Sequence, residues 1–218
     1  MDIQQILSMT DHTLLRTGCT REDIEKLCEE AVESHCAAVC IPPCFVSCAR
    51  DCVGDSGVRV CTVIGFPNGY QTIRTKTEEA KEAIENGATE IDMVINLSYV
   101  KGREWDKVRE EISRMRETCD GILLKVIIET CLLTDRDKIR LCEIITECGV
   151  DYIKTSTGYS LGGATVHDVA LLKRHVGEGV RVKASGGIHS MSEAQAMIDA
   201  GASRIGASGI VKASHEMV

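Results

Sequence analysis

Eight short apolar runs alternate with amphipathic segments along the whole chain, and this alternation limits the possible folds more than any other feature. The runs are HTLL, AAVCI, VRVCTVIGF, EIDMVIN, ILLKVIIE, DYIKTS, VRVKAS and SRIGAS. Several are almost continuously hydrophobic, as strands of a parallel sheet buried on both faces should be. The pattern predicts an α/β fold, a single-domain (β/α)8 TIM barrel. A doubly wound sheet is the alternative, because both folds are built from βαβ units.

The segments between these runs have recognisable helix starts. In three of them a Ser or Thr precedes an acidic residue by three positions, which is the spacing of a capping box: Thr20 with Asp23, Thr134 with Asp137, and Ser190 with Glu193. Behind the first box, apolar residues recur at helical spacing from Ile24 to Ala31 and define one buried stripe. No linker or change in composition indicates a second domain.

Charge and hydropathy narrow the class of partner. The 218 residues carry a formal net charge of -8, which disfavours broad binding to nucleic acid or to an anionic membrane but allows a locally positive pocket. The first residues contain no basic segment followed by an apolar core, and no apolar run reaches the roughly 18 residues of a membrane helix. We therefore predict a soluble, cytoplasmic protein that acts on small molecules.

Twelve cysteines are present, and five of them recur every four positions, at Cys36, Cys40, Cys44, Cys48 and Cys52. Because Pro42-Pro43 interrupts any helix there, we expect the first two on a strand and the last three on one helix face. No C-x-x-C pair occurs, and no histidine lies near a cysteine cluster at the usual zinc spacing. The cysteines are therefore predicted to be free, buried and small hydrophobic residues in a reducing compartment, without a metal.

A weak internal repeat places an acid and a base at equivalent positions. The segments GATEID, GVDYIK and GASRIG share a glycine, three residues, an isoleucine and then a variable position. Each glycine would close the preceding helix, where it tolerates a left-handed backbone. The variable position holds Asp92, Lys154 and Gly206, which should therefore face the same way. If that facing is inward, Asp92 and Lys154 share the barrel interior near its C-terminal mouth.

Three lysines, Lys125, Lys154 and Lys183, lie inside strand-like runs. Each could be a surface lysine with its stem packed and its amine in water, but a closed barrel has no free edge for such residues. Buried amines close together lose their charge more easily, and a neutral amine attacks carbonyl carbons, so the set indicates Schiff-base chemistry. Asp92 would relay protons in that chemistry, or alternatively serve only as a counter-ion.

Glycine clusters follow the last two predicted strands, SGG at 185–187 and GASG at 206–209. In barrels these two loops and a short extra helix often bind phosphate through backbone N–H groups. The segment STGYSLGG after the sixth strand would add donors to the same rim. The six histidines show no paired spacing, and no Rossmann or P-loop pattern occurs. We therefore predict neither a nucleotide cofactor nor a metal.

With these residues assembled, the chain resembles the deoxyribose-phosphate aldolases, class I aldolases on a (β/α)8 barrel. The resemblance covers nearly the whole chain and rests on five segments: DHTLL at 11–15, EIDMVIN at 90–96, LKVIIET at 124–130, DYIKTSTGY at 151–159 and VKASGGI at 182–188. It implies one aldolase domain over residues 1–218 with a short N-terminal helix, no cofactor, and a homo-oligomer, either a dimer or a tetramer.

The resemblance also implies roles for individual residues. Lys154 would form the Schiff base, Lys183 would favour its neutral amine, and Asp92 would take part in proton relay. The positions that hold the substrate phosphate in the family are matched by Gly158, Gly186, Gly187, Gly206 and Ser208. Positions that line the pocket are matched by Asp11, Thr13, Cys40 and Lys125.

The implied reaction is the reversible cleavage of 2-deoxy-D-ribose 5-phosphate to D-glyceraldehyde 3-phosphate and acetaldehyde, in deoxyribose phosphate catabolism. Two rival functions share parts of the pattern. A transaldolase-like lyase would use the same lysine on a ketose, and a non-catalytic phosphosugar-binding barrel would form no imine.

Three departures from the family concern the phosphate and proton steps. The segment RIGASGIVKA is shorter than the usual serine-rich final turn, and His189 stands where many relatives carry arginine. The printed chain ends in SHEMV, without the terminal tyrosine of some relatives. We expect an active aldolase with altered phosphate affinity or slower proton exchange.

Overall fold

Eight parallel strands form one closed barrel in sequence order, with the last strand paired to the first. The computed structural model describes residues 1–215, so Glu216–Val218, and with them the expectation about a terminal tyrosine, lie outside the described residues. The strands are β1 Thr10–Thr13, β2 Ala38–Ile41, β3 Arg59–Ile64, β4 Glu90–Val94, β5 Leu123–Ile127, β6 Tyr152–Lys154, β7 Arg181–Ser185 and β8 Arg204–Ala207. The predicted (β/α)8 barrel is confirmed, and the doubly wound alternative is wrong.

Helices alternate with these strands and cover the barrel. They are α1 Ile3–Leu7, α2 Arg21–Glu33, α3 Val46–Val53, α4 Ile73–Glu85, α5 Leu97–Lys101, α6 Trp105–Thr118, α7 Asp135–Glu147, α8 Val166–His175, α9 Met191–Asp199 and α10 Ile210–His215. Short 3₁₀ turns cover Pro43–Phe45 and Thr130–Leu132. The helix α1 comes before β1, buries Ile6 and Leu7, and contacts α9 and α10.

The predicted helix boundaries agree with the structure where local chemistry defines them. All three capping boxes form, since the side chains of Thr20, Thr134 and Ser190 each accept a backbone N–H from the third residue of the helix. The three glycines of the repeat follow helix ends and have positive φ angles of 108°, 66° and 115° at positions 87, 149 and 201.

The first strand lies earlier than its apolar residues suggested. It runs from Thr10 to Thr13 rather than over HTLL at 12–15, because the ladder pairs Asp11 with Ala38 on β2 and with Gly206 on β8. Three of its polar residues are buried, with Asp11 facing the barrel interior and His12 turned outward to Glu30 on α2. Leu14 and Leu15 follow the strand and line the barrel mouth. Hydrophobicity alone therefore misplaced this strand by two residues.

The cysteine-rich segment is divided differently from the prediction. Cys40 lies on β2 as expected, but Cys36 precedes that strand, and Cys44 lies in the 3₁₀ turn. Only Cys48 and Cys52 share a face of α3, because the helix begins at Val46, after the two prolines. All twelve cysteines are free. Within residues 1–215, no helix is both long enough and apolar enough to cross a membrane.

The apolar core lies between the outer face of the sheet and the helices, where buried Val, Ile, Leu, Ala and Met side chains pack together. The inside of the barrel is different in character. Charged side chains occupy it, and five of them have no exposed surface at all: Asp11, Glu90, Asp92, Lys125 and Lys183. Because an unpaired buried charge is very costly, these residues are expected to neutralise one another.

Candidate active site

The shared facing predicted from the internal repeat is confirmed. Asp92 and Lys154 both point into the barrel, where the Lys154 Nζ donates a hydrogen bond to Asp92 Oδ2 at 2.6 Å. The third position also faces inward, since a Cβ added at Gly206 would lie 3.1 Å from the Cε of Lys183. Glycine at 206 therefore leaves room for a lysine from the neighbouring strand.

Asp92 is the centre of the interior cluster, and all three strand lysines bind its carboxylate. Lys183 Nζ donates to Oδ2 at 2.7 Å, and Lys125 Nζ donates to Oδ1 at 2.8 Å. The Cys61 thiol donates to Oδ1 at 3.2 Å. The structure thus brings together the three residues predicted to be catalytic, with Lys125 beside them.

These contacts shift the protonation of the cluster. Burial alone would raise the pKa of the Asp92 carboxyl, but the ammonium groups of Lys125, Lys154 and Lys183 outweigh it and hold that pKa well below its ordinary value. Burial disfavours the ammonium of Lys183, yet the carboxylates of Asp11 and Asp92 raise its pKa well above the ordinary range. Asp92 is therefore an anion and Lys183 a cation near neutral pH.

A second layer of charges supports this centre. Asp11 binds Lys183 through one oxygen, and its other oxygen accepts from Arg204 Nη1 at 2.6 Å. Glu90 lies 2.5 Å from the Nζ of Lys125 and 3.2 Å from Arg204 Nη2. Arg204, on β8, thereby links the carboxylates of Asp11 and Glu90.

Sequence reasoning missed Glu90 and Arg204 in this layer. Each stands two residues before an inward-facing position, Asp92 and Gly206 respectively. Because alternate residues of a strand share a face, that spacing was the available signal.

An open cavity of about 320 Å³ lies at the barrel mouth. Of the predicted residues, seven line it: Thr13, Lys154, Gly158, Gly186, Gly187, Gly206 and Ser208. The other five, Asp11, Cys40, Asp92, Lys125 and Lys183, are fully buried and lie outside this lining. Among the three strand lysines, Lys154 is therefore the one that reaches the cavity.

The glycine clusters form one rim of the cavity. Gly158, Gly186 and Gly187 have positive φ angles of 84°, 81° and 74°, which favour glycine. The loops after β6 and β7 approach closely, since a Cβ at Gly163 would lie 2.1 Å from the Gly186 carbonyl oxygen. Within residues 1–215, the amides of Gly187 and Ser208 donate to no backbone carbonyl. These N–H groups are available to an anion.

Glu129 is a further residue of this region that the sequence did not reveal. Its backbone has a φ of 54°, and its Oε2 accepts from Thr157 Oγ1 at 2.5 Å. Burial raises the pKa of the Glu129 carboxyl although Thr157 hydrogen bonds oppose it. The contact ties the end of β5 to the loop that carries Gly158.

Among residues 1–215, two groups of possible metal ligands occur inside the barrel, and both share atoms with the lysine cluster. They are Cys40 with Cys61 and Asp92, and Asp11 with Cys61 and Glu90. The carboxylates in each already bind ammonium groups. A cation there would have to displace these like charges, so the arrangement suits amine chemistry rather than a metal.

A barrel of this kind, with a buried amine–carboxylate centre that opens at the C-terminal mouth, defines a (β/α)8 enzyme. Comparison with known proteins identifies the enzyme family. A family model described as DeoC/LacD family aldolase matches residues 5–213. The chain belongs to this family, and it is an aldolase, a lyase of carbon–carbon bonds.

Individual relatives agree over nearly the whole chain. A deoxyribose-phosphate aldolase of Caldanaerobacter subterraneus subsp. tengcongensis is 53% identical over 98% of this chain and 94% of its own. One of Clostridioides difficile is 50% identical over 96% of this chain and 95% of its own. A solved putative deoxyribose-phosphate aldolase from Coccidioides immitis superposes with a TM-score of 0.96 at 38% identity, covering 100% of this chain and 87% of its own.

Proposed function

We propose that this chain is a class I aldolase that reversibly cleaves 2-deoxy-D-ribose 5-phosphate to D-glyceraldehyde 3-phosphate and acetaldehyde, with Lys154 as the Schiff-base residue. One observation carries the assignment. Lys154 alone of the three strand lysines lines the cavity, while its Nζ is held by the central carboxylate of Asp92. The names of the relatives at about half identity support the same substrate.

The buried charges of the cluster are unequal in number. Three carboxylates, Asp11, Glu90 and Asp92, face four cationic groups, Lys125, Lys154, Lys183 and Arg204. With all seven charged, the buried cluster has one positive charge in excess, which low polarity penalises. A class I mechanism needs a neutral amine at the lysine that reacts, and Lys154 is the strand lysine that lines the cavity.

In the cleavage direction, the neutral Lys154 amine attacks the C1 aldehyde of the open-chain sugar. Loss of water gives a protonated imine. A base removes the C3 hydroxyl proton, the C2–C3 bond breaks, and its electron pair passes into the iminium to form an enamine. D-glyceraldehyde 3-phosphate leaves at this point. Protonation of the enamine carbon and hydrolysis by water then release acetaldehyde and restore the amine.

Asp92 and Lys183 would serve the proton transfers. Both Lys154 and Lys183 donate to the same oxygen, Asp92 Oδ2, which offers a short route for a proton between them. Lys183 remains an ammonium because Asp11 and Asp92 outweigh burial and raise its pKa. It can therefore disfavour a second positive charge at Lys154 and donate a proton, with Asp92 orienting it.

The glycine rim would bind the substrate phosphate through its backbone amides. Gly186, Gly187 and Ser208 line the same cavity as Lys154, and His189 lines it too. Asp11, Cys40 and Lys125 would support the pocket from below its lining. We also propose that His189 and the short final turn alter the affinity for the substrate phosphate.

We also propose one aldolase domain over residues 1–218, a role in deoxyribose phosphate catabolism, and a homo-oligomeric state. A deoxyribose phosphate aldolase of Aeropyrum pernix, 32% identical with a TM-score of 0.91, covers 100% of this chain and is described as a tetramer. Gel filtration with light scattering tests the oligomer, and a monomer at working concentration would contradict it.

Borohydride trapping tests the chemistry. The full chain is incubated with deoxyribose 5-phosphate, reduced, and mapped by peptide mass spectrometry, with Lys81→Ala as a surface-lysine control. We expect an adduct on Lys154 in the wild type and the control, and none in Lys154→Met. An adduct on Lys183 or Lys125 would reverse the assigned roles. Turnover of a ketose phosphate instead would favour a transaldolase-like lyase, and binding without any adduct would favour a non-catalytic barrel.

A further inference from the structure

A cluster of thiols lies outside the barrel, between helices α2 and α3. Its members are Glu25 and Cys28 on α2 with Cys48 and Cys52 on α3, here called the α2–α3 thiol cluster. The ligand atoms of Glu25, Cys48 and Cys52 all lie within 4.8 Å of one another. Cys28 is fully buried beside them, and burial, reinforced by the Cys52 and Cys48 thiols, raises the pKa of Cys28 to about 12.

The spacing of these residues turns their side chains toward one another. Glu25 and Cys28 are three residues apart on α2, and Cys48 and Cys52 are four apart on α3. Both spacings place side chains on one face of a helix. Because the two helices pack together, the ligand atoms of Glu25, Cys48 and Cys52 meet, and Cys28 lies beside the two cysteines of α3.

We propose that the α2–α3 thiol cluster binds one thiophilic metal cation of the Zn²⁺ class, held by Cys28, Cys48, Cys52 and Glu25. Tetrahedral zinc with sulfur bonds of about 2.3 Å requires sulfur atoms roughly 4 Å apart. The ligand atoms of Glu25, Cys48 and Cys52 lie within 4.8 Å of one another, close to that value. Cys28 stands outside this set and would have to turn toward it on binding. The three thiols release their protons to solvent as the metal–sulfur bonds form.

The exposure of the ligands provides an entry path. Cys52 is exposed, Cys48 and Glu25 are half-buried, and Cys28 is buried at the inner end. A hydrated cation can meet the outer ligands first and then lose water as it reaches Cys28. Such a gradient suits a structural site that joins two helices.

Arg21 balances the charge of the site. Its Nε donates to Glu25 Oε1 at 2.8 Å. Burial raises the pKa of the Cys52 thiol, and the Arg21 guanidinium partly opposes that rise. Three thiolates, one carboxylate and a divalent cation carry a net charge of -2, which Arg21 reduces to -1. The lysine cluster of the barrel has no such capacity for an added cation.

Metal titration of the reduced, chelator-stripped full chain tests the proposal. Cd²⁺ reports through thiolate-to-metal charge-transfer absorption, and Zn²⁺ through competition with Cd²⁺. We expect one equivalent to bind and to raise the thermal unfolding midpoint. Cys48→Ser and Cys52→Ser should each weaken metal binding by roughly 100-fold or more, which exceeds the usual loss for residues that only contact a ligand. Glu25→Gln should weaken metal binding by about 10-fold.

Matched controls distinguish this cluster from other thiols. Cys44→Ser and Cys131→Ser remove exposed cysteines elsewhere and should leave metal affinity unchanged. Cys28→Ser is interpreted only if its circular dichroism matches the wild type, since Cys28 is buried. Absence of a bound equivalent would overturn the proposal. So would an equivalent that survives in the Cys48→Ser/Cys52→Ser double variant but is lost in Cys61→Ser, inside the barrel.

Discussion

Two buried lysine sites in this protein differ in ways that separate a structural ion pair from a reactive centre. Lys76 on α4 is fully buried, and its Nζ donates to Glu111 Oε1 at 2.7 Å and to the carbonyls of Gly69 and Val94, each at 2.6 Å. One cation meets one carboxylate, and Lys76 does not line the cavity at the barrel mouth. Its amine is fully occupied.

The barrel centre has the opposite properties. Its cations exceed its carboxylates by one, and Lys154 opens to the cavity. The pKa shifts alone would mislead, because burial lowers the pKa of Lys76 despite Glu111, whereas Asp11 and Asp92 raise that of Lys183 despite burial. Access and charge excess, rather than burial, distinguish the lysine that can react.

The largest expected effect is on catalysis at Lys154. Lys154→Met should lower kcat by more than about 10⁴-fold, as loss of a covalent nucleophile does. The folded state should keep about the wild-type stability, because the three carboxylates still meet three cations, Lys125, Lys183 and Arg204. Steady-state kinetics and urea unfolding measure both quantities. A strongly destabilised variant would indicate that the cluster needs all four cations.

Lys76→Met should have the converse effect, a loss of stability without a change in chemistry. The substitution leaves Glu111 buried and unpaired, which costs about 3–5 kcal/mol. The kcat per folded molecule should stay near the wild-type value. The Lys76→Met/Glu111→Leu double variant provides the control, since an apolar pair can restore stability. A large fall in kcat at full folding would remove the contrast between the two sites.

Acidification should change the stability contributed by Asp11 in the barrel centre and by Glu111 beside Lys76 in opposite directions. In the barrel centre, burial alone would raise the pKa of the Asp11 carboxyl. The cations of Lys183, Lys125 and Arg204 outweigh burial and hold that pKa below its ordinary value. Its stabilising contribution is present above the unfolded pKa of about 3.9 and is lost as the pH falls through the lower, folded value. Burial raises the pKa of Glu111, so protonation of Glu111 on acidification favours the folded state.

The test is the free energy of unfolding, measured by urea denaturation at several pH values from about pH 7 to pH 3. The quantity compared is the slope of this free energy against pH, not its absolute value. Asp11→Asn should lose less stability on acidification than the wild type, and Glu111→Gln should lose more. Equal slopes for the two variants would contradict the assigned shifts.

The smallest expected effect concerns the cavity rim. His189→Arg adds a permanent cation beside Gly187. An exposed ion pair between this arginine and the substrate phosphate would contribute about 1 kcal/mol or less to binding. The KM for deoxyribose 5-phosphate should fall by up to about fivefold, with the KM for unphosphorylated deoxyribose unchanged. An equal change for both substrates would place the effect outside phosphate binding.

Much of the fold was predictable because its signals are local. Eight apolar runs, three capping boxes and three helix-closing glycines each depend on neighbouring residues, and all are present. The repeat also predicted the common facing of Asp92 and Lys154. The first strand was misplaced because its buried residues Thr10 and Asp11 are polar, and the inward-facing Asp11 is stabilised by Arg204, 193 positions away.

The residues missed by the sequence depend on contacts between distant segments. Arg204 and Glu90 meet across 114 positions, and Lys76 meets Glu111 across 35. Cys28 joins Cys52 only because α2 packs on α3.

Strand and helix order, the inward register of the repeat and the set of lysines follow from the order of residues, because periodicity and capping act over a few positions. The choice of Lys154 as the lysine that meets the cavity, and the charge excess around it, arise only when the barrel closes. Closure fixes which side chains are desolvated together, and electrostatic energy depends on distance and burial rather than on sequence separation.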